Sequence, residues 1–555
     1  MTALATVRTG SDTHVVTNQP PSHAPYDASA DPALLEGVRR WGAGWVEDDL
    51  RRLGHLAGGP EAQRWAEEAD RNEPVLRTHD RYGHRIDEVE FHPSWHALLR
   101  VAVAEGNAAS VWADPRPGAH VARFATSSVW AHTEAGHACP MAMTYAVVPA
   151  LRHAPELAAV YEPLLTSRVY DPGLRAPAGK RGLLAGMGMT EKQGGSDVRA
   201  NATVATPTAE PGTFLLHGHK WFLSAPMSDV FLVLAQAPGG LSCFLVPRVL
   251  PDGERNRIRL QRLKDKLGNR SNASSEREFD AAVGWLVGGE GDGLTPILEM
   301  VNSTRLDCVM GSAALMRKAF VEAGHHARHR VAFGAPLLRQ PLMRTVLADL
   351  ALESEAATTL GLRLAVAADR AVRGDAGERA FGRVATAVGK YWVTKRAAAF
   401  TAEALECLGG NGYVEESGLP RLYREAPVNS VWEGSGNVIA LDVLRALHRE
   451  PGTAQAYLDE VRTARSGNTH LGRAAADLEV VLHRPDLHLP GQARRIVERM
   501  ALVLQASLLV RYAPPAVADA FCASRLADGG GHAFGTLASS ADVDAILGRA
   551  LPDGC

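Results

Sequence analysis

The order of its apolar patterns constrains this chain more than any other feature. Helical periodicity comes first, short strand-like runs occupy the middle, and long helical stretches follow, with little mixing. Residues 31–180 carry helical patches such as Pro32 to Trp45 and Ser94 to Ala108, with tryptophan and histidine scattered between them. Between about 181 and 290 the apolar residues gather into short runs: Phe214-Leu215-Leu216, Val230 to Leu234, and Cys243 to Val246. Turn residues bound these runs, and Pro238-Gly239-Gly240 reads as a hairpin connection. Arg262, Lys264 and Lys266 alternate on one face of a further strand. From Gly291, residues Leu294, Ile297, Leu298 and Val301 fall at helical spacing, and alanine-rich sequence continues to Leu408. A doubly wound sheet needs strands and helices in alternation, so this order excludes one. It predicts an α+β chain: a disordered arm (1–30), an N-terminal helical domain (31–180), a central β domain (181–290), a C-terminal four-helix bundle (291–449) and an additional helical domain (450–555). The stretch around Gly529-Gly530-Gly531 reads as loose.

Charge and cysteine usage narrow the function classes. A net charge of −3 gives no global attraction to nucleic acid or anionic lipid. The six cysteines lie far apart with no Cys-x-x-Cys pair, which indicates neither a disulfide framework nor a metal site and suits a reducing cytoplasm. The first thirty residues lack the apolar core of a secretory signal. The most apolar stretch, Met500 to Val510, is too short to span a bilayer and reads as a buried helix.

Five stretches could carry chemistry. Arg181 to Val198 is glycine-dense and holds Met187, Met189, Thr190, Gly195 and Ser196. Glycines admit close backbone approach, and exposed N–H groups beside a hydroxyl can cradle a phosphate or a polar ring edge. An unliganded glycine-rich turn would read the same way. The spacing after Gly186-x-Gly188 lacks the third glycine of a dinucleotide fingerprint. His219 to Ser224 ends a strand, where Phe222 could lie against a flat ring and Ser224 could donate to a ring nitrogen, or the aromatics could simply pack inward. Asn429 to Asn437 places Glu433 beside Trp432 and ahead of an apolar helix, as a general base or as part of a capping segment closed by Ser435 or Asn437. Arg330-Val331-Ala332-Phe333-Gly334, with Gln340 beyond, could hold a pyrophosphate or turn a helical corner. Gly409 and Gly410 could cap a helix or admit a ligand.

Taken together, these stretches resemble the acyl-CoA dehydrogenase superfamily. Its marks are a Thr-Glu-x-x-x-Gly-Ser-Asp stretch, an Arg-x-x-Phe-Gly corner, a Gly-Gly-x-Gly-Tyr turn and an aromatic-Glu-Gly-Ser/Thr stretch, and all four occur here in the family's order. Within it the chain resembles the AidB-like branch, associated with the response to DNA alkylation. The pointers are residues 186–197, 262–274 and 429–437, and the resemblance runs from about residue 15 to 525. It implies an acyl-CoA dehydrogenase-like fold with a β-barrel-like middle domain. It also implies a non-covalent FAD and a homotetramer.

On this resemblance Met187, Met189, Thr190, Gly195 and Ser196 line the flavin and its pyrophosphate, and Phe222 and Ser224 meet the ring. Arg330, Phe333, Gln340, Gly409 and Gly410 contact a neighbouring subunit's FAD. Trp432, Gly434, Ser435 and Asn437 line the flavin, and Glu433 is the base. Glu406 stands where a glutamine is common, and the alternative place for the base reads Thr304-Arg305. The implied activity is proton abstraction from an acyl thioester or related small molecule by Glu433, with hydride transfer to flavin N5. The alternative is a DNA-binding flavoprotein that protects DNA from alkylation. After residue 450 ten arginines face eleven acidic residues with no lysine, so that reading needs Arg484, Arg494, Arg495 and Arg499 on one face, or a patch built by Arg317, Lys318 and Arg328 across a tetramer.

Overall fold

A computed structural model describes residues 13–483, 489–527 and 533–551. Helix α1 (Pro32–Arg40) starts at Asp31, whose side chain accepts from the Ala33 N–H, and at a proline that needs no hydrogen-bond partner there. Helix α2 (Glu47–Ala57) opens on three acidic residues that suit its positive end, and α3 (Pro60–Arg71) again opens on proline. A hairpin of β1 (Val75–His79) and β2 (Arg85–Glu90) follows, inside the part expected to be helical. Most of its residues are exposed or half-buried, so the sequence there carries no apolar alternation to announce it. Then come α4 (Pro93–Ala104), α5 (Ala119–Trp130), α6 (Ala138–Leu151) and α7 (Pro155–Leu165).

The middle of the chain is β3 (Ala185–Gly188), β4 (Val204–Pro207), β5 (Thr213–Ser224), β6 (Val230–Ala237), β7 (Gly240–Pro247), β8 (Ile258–Leu263) and β9 (Ser274–Val287). Pairings β6–β7, β7–β9, β9–β5, β5–β4 and β4–β6 close a ring, with β3 and β8 flanking it. Ala237 pairs with Gly240 across the expected two-residue hairpin. Side chains of β6 alternate between two cores. Phe231, Val233 and Ala235 fill the barrel, while Val230, Leu232 and Leu234 pack outward with α6 residues such as Tyr145 and Val147. Burial on both faces explains the unbroken apolar run. Strand β8 stops at Leu263, so Lys264 and Lys266 lie beyond it rather than along one strand face.

Three long helices, α8 (Leu294–His329), α9 (Pro341–Val372) and α10 (Ala376–Glu406), carry the bundle, with the small hairpin β10 (Val331–Ala332) and β11 (Ala335–Pro336) between the first two. Helices α11 (Leu419–Glu425) and α12 (Gly436–Arg449) complete it. Beyond them α13 (Pro451–Arg462), α14 (Thr469–Leu482), α15 (Ala493–Tyr512), α16 (Pro515–Arg525) and α17 (Val543–Ala550) pack on the same apolar core. Met500 to Val510 is part of the buried face of α15.

The expected disordered arm needs correction. Residues 1–12 lie outside the described residues, as do Gly529-Gly530-Gly531. Residues 13–17 are exposed, but residues 18–30 pack on the bundle. Asn18 exchanges two hydrogen bonds with Val331, at 2.8 and 2.7 Å, and Lys318 donates to the buried Tyr26 hydroxyl at 2.8 Å. Paired polar groups of this kind leave no apolar periodicity in the sequence. No described helix is long and apolar enough to cross a membrane.

Candidate active site

The glycine-rich loop is pinned by a residue that its composition does not advertise. Strand β3 runs parallel to β6, and the chain then turns out of the sheet, where the Thr190 carbonyl accepts from the Trp221 N–H at 2.8 Å. The Glu191 side chain, fully buried, accepts from Lys220 Nζ, Thr203 Oγ1 and the Ala202 N–H, each at 2.6 Å. Burial opposes its charge, but these bonds outweigh burial and hold the carboxyl down to about 2. The loop is thereby fixed to β5 and β4, while residues 192–197 stand exposed, Gly195 and Ser196 among them. A Cβ on Gly195 would lie 2.4 Å from Thr190 Oγ1, so only glycine lets the loop close on that hydroxyl. Met187 and Met189 are half-buried against the outer barrel core.

Beside this loop β5 delivers its last residues. Phe222 is 51% exposed, and Lys264 Nζ sits 3.3 Å from the centre of the Trp221 ring. Ser224 Oγ lies 3.1 Å from Ser274 Oγ, because the antiparallel register of β5 and β9 sets those two residues opposite each other.

Glu433 comes from the bundle side. It has φ +59°, in the left-handed region that costs a non-glycine residue about 1–3 kcal/mol, and Gly434 follows at φ +100°. Cations hold this turn by its backbone. Arg305 Nε donates to the Glu433 carbonyl at 3.2 Å, and the buried Lys390 donates to the Gly434 carbonyl at 2.6 Å. Trp432 Nε1 bonds to Asn429 Oδ1 at 3.1 Å. The carboxylate oxygen Oε2 of Glu433 is buried and has no hydrogen-bond partner. Burial raises its carboxyl above the ordinary glutamate value, although the Thr304 hydroxyl, Lys390 and Arg305 pull the other way. A buried, unpaired carboxylate with a raised pKa is what a general base requires.

The Cys139 thiol, at the start of α6, ties the two halves together. Burial pushes it up to about 12, and it feels the charges of both Lys266 and Glu433 and the hydroxyl of Ser224. The end of β5, the start of α6 and the Glu433 turn are therefore brought near one another at this thiol. Ser435 stands at the N-cap of α12 without a side-chain cap bond, so it does not close the helix start. Asn437 Oδ1 instead accepts from Arg494 Nε at 2.8 Å.

Other sequence-flagged residues lie elsewhere in the chain. Arg330 donates to the Asn18 carbonyl at 2.6 Å, and Gln340 to the Ala332 carbonyl at 2.9 Å. Phe333 is 100% exposed at φ +52°. Gly409 and Gly410 are exposed, with open space where a Cβ would stand. None of these five hydrogen-bonds to Thr190, Ser224 or Glu433. The sequence assigned no site role to Cys139, Lys220, Lys266, Ser274 or Lys390. Lys220, Lys266 and Ser274 carried a signal, since they fall within the flagged stretches 219–224 and 262–274; Cys139 and Lys390 carried none.

Several of the basic residues named for nucleic acid are buried or already bonded within the chain. Arg317 and Lys318 are buried, the first donating to the Ala30 and Ala550 carbonyls and the second paired with Glu322. Among the four C-terminal arginines, Arg494 is bonded to Asn437 and Arg499 lies 3.5 Å from Asp477, while Arg484 lies outside the described residues.

Comparison with known proteins gives the same picture from outside. Three family descriptions match in succession: the adaptive response protein AidB N-terminal domain at residues 18–172, the acyl-CoA dehydrogenase middle domain at 186–282, and the acyl-CoA dehydrogenase C-terminal domain at 291–448. The chain is 48% identical to AidB of Escherichia coli (strain K12) over 525 residues, covering 94% of this chain and 95% of that one. The crystal structure of Caenorhabditis elegans ACDH-11 in complex with C11-CoA superposes with a TM-score of 0.85 at 27% identity, covering 99% of this chain and 98% of that one. An acyl-CoA dehydrogenase complexed with FAD from Bacillus anthracis, 18% identical, shares the fold with a TM-score of 0.63 over 78% of this chain and 80% of that one.

Proposed function

We propose, from the premise that this chain belongs to the acyl-CoA dehydrogenase family and stands beside AidB within it, that it is an FAD-dependent oxidoreductase acting on an acyl-CoA thioester or a related small molecule. The observation that carries this is Glu433: a buried carboxylate oxygen with no partner, on a strained turn held by two cations, with the Cys139 thiol between it and Ser224 feeling both. Glu433 takes the proton from the carbon next to the thioester carbonyl, and its raised pKa brings it closer to the working pH. Bound FAD supplies the acceptor for the hydride leaving the next carbon.

The residues present fit that group. Phe222 offers an exposed aromatic face, and the open loop at Thr190, Gly195 and Ser196 offers backbone and hydroxyl donors, with Met187 and Met189 behind it. Ser224 offers a hydroxyl to the ring, and Trp432, Gly434, Ser435 and Asn437 close the bundle side. Arg330, Phe333, Gln340, Gly409 and Gly410 would reach the cofactor of a neighbouring subunit in a homotetramer. Large apolar side chains standing in water support such a partner: Phe333 at 100%, Leu342 at 83% and Tyr413 at 81% exposure. Among the described residues the five cysteines are unpaired, which suits a reducing cytoplasm.

The test is anaerobic mixing of the FAD-loaded protein with acyl-CoAs of graded chain length. At least one should bleach the flavin's visible absorbance, and E433Q should abolish that bleaching while keeping the cofactor. Bleaching by none of them, or bleaching undiminished in E433Q, overturns the reading.

A further inference from the structure

The Ser224 hydroxyl is the outer end of a short chain of donors. Lys266 Nζ donates to the Asn272 carbonyl at 2.6 Å and to Ser274 Oγ at 3.0 Å, and Ser274 Oγ lies 3.1 Å from Ser224 Oγ. Ser274 is buried and Ser224 half-buried. An ammonium group only donates. Its bond takes up one acceptor position of the Ser274 oxygen and polarises the Ser274 proton, which favours donation of that proton to Ser224. With the Ser224 oxygen accepting from Ser274, its own proton is left for the side on which the Cys139 thiol lies. Each hydroxyl is polarised in the same sense by the one before it.

Lys266 is half-buried and, among the described residues, forms no ion pair. Burial pulls its pKa below the ordinary lysine value, and Cys139, Glu425, Glu73 and Glu134 oppose this without pairing with it. Withdrawing an unpaired ammonium from water is costly. Holding the Asn272 carbonyl alone could be done by a neutral donor.

We propose that Lys266 is a positioning residue: through Ser274 it fixes the Ser224 hydroxyl as a hydrogen-bond donor aimed at the flavin ring nitrogen N5. This rests on the flavin reading above. The competing role, in which Lys266 merely secures the 264–272 loop through Asn272, makes no use of Ser274.

The two roles separate in protein reconstituted with FAD carrying 15N at N5, whose resonance reports the hydrogen bond given to that atom. In K266M and S274A the N5 signal should shift in the same direction, and FAD dissociation should strengthen about three- to tenfold. K266R, which keeps a cationic donor, should stay near wild type, and the K266M/S274A double variant should be no worse than either single. An N5 signal unmoved in S274A overturns the proposal, whatever K266M does, so an unfolded K266M leaves it decidable. A wild-type protein that takes up no FAD overturns the functional reading and this inference with it. A loaded protein with an indifferent S274A overturns only the inference.

Discussion

Lys390 Nζ donates to the Gly434 carbonyl oxygen at 2.6 Å, one residue past the left-handed Glu433, from a side chain that is 1% exposed. A strained turn persists only when its surroundings over-determine it, and this bond together with Arg305 on the Glu433 carbonyl does so. K390M keeps the length and removes the donor. It should cost about 1–3 kcal/mol, the penalty for an unsatisfied buried carbonyl. It should also lower the rate of substrate-dependent flavin bleaching more than it raises KM. Urea unfolding and stopped-flow absorbance measure the two effects, and a variant with wild-type values for both would show that the turn does not need this bond.

The Glu191–Lys220 pair lies 2.6 Å apart with both side chains fully buried. Removing one member strands the other charge, so K220M should destabilise by about 3–5 kcal/mol. The double variant E191L/K220M should recover part of that loss, because neither charge is then left alone. Because Glu191 also anchors the loop holding Thr190 and Ser196, both single variants should bind FAD more weakly. A double variant as unstable as K220M would refute the pairing account.

What the sequence made legible follows from how local each signal is. The long alanine-rich helices and the doubly buried run of β6 are written in consecutive residues, and so is the Trp432-Glu433-Gly434 turn. Contacts made by strand register are not. Ser224 meets Ser274 because β5 and β9 pair antiparallel, and neither segment alone says so. Glu191 lies within the flagged glycine-rich stretch, but nothing local pairs it with Lys220; only the fold brings that ammonium to it. The arm at residues 18–30 and the hairpin of β1 and β2 are held largely by polar contacts, which leave no periodicity to read.

Glu425 is buried, bonded to Asn269 Nδ2 at 2.8 Å, with its carboxyl pushed up to about 7 by burial; Glu134 nearby adds to this, while Asn269 and Lys266 oppose it. The folded state therefore binds this proton more tightly than the unfolded state. Its favourable contribution is complete below the unfolded value near 4.5 and is lost as pH rises to about 7. E425Q mimics the protonated form. Its stability should match wild type at low pH and exceed it by up to about 3 kcal/mol above pH 7, since each unit is worth about 1.4 kcal/mol. Urea unfolding across that range measures the gap, and a gap independent of pH would place the titration elsewhere.

Burial raises the Glu433 carboxyl, while the Thr304 hydroxyl and the Lys390 and Arg305 cations hold it back. The base works as the carboxylate, so flavin bleaching should fail as pH drops, with an acid limb above the ordinary glutamate value. Lys390 favours the charged form, so K390M should move that limb to still higher pH. R305M is a poorer probe, because Arg305 also pairs with Asp442 at 2.7 Å, and its loss would disturb a second carboxylate that Arg383 holds at 3.1 Å. The measurement is the bleaching rate with a saturating acyl-CoA, in wild type and K390M, across the acid range. An acid limb in K390M at or below the wild-type position would mean that Glu433 does not feel Lys390, and that the group titrating in the rate is not the carboxylate on this turn.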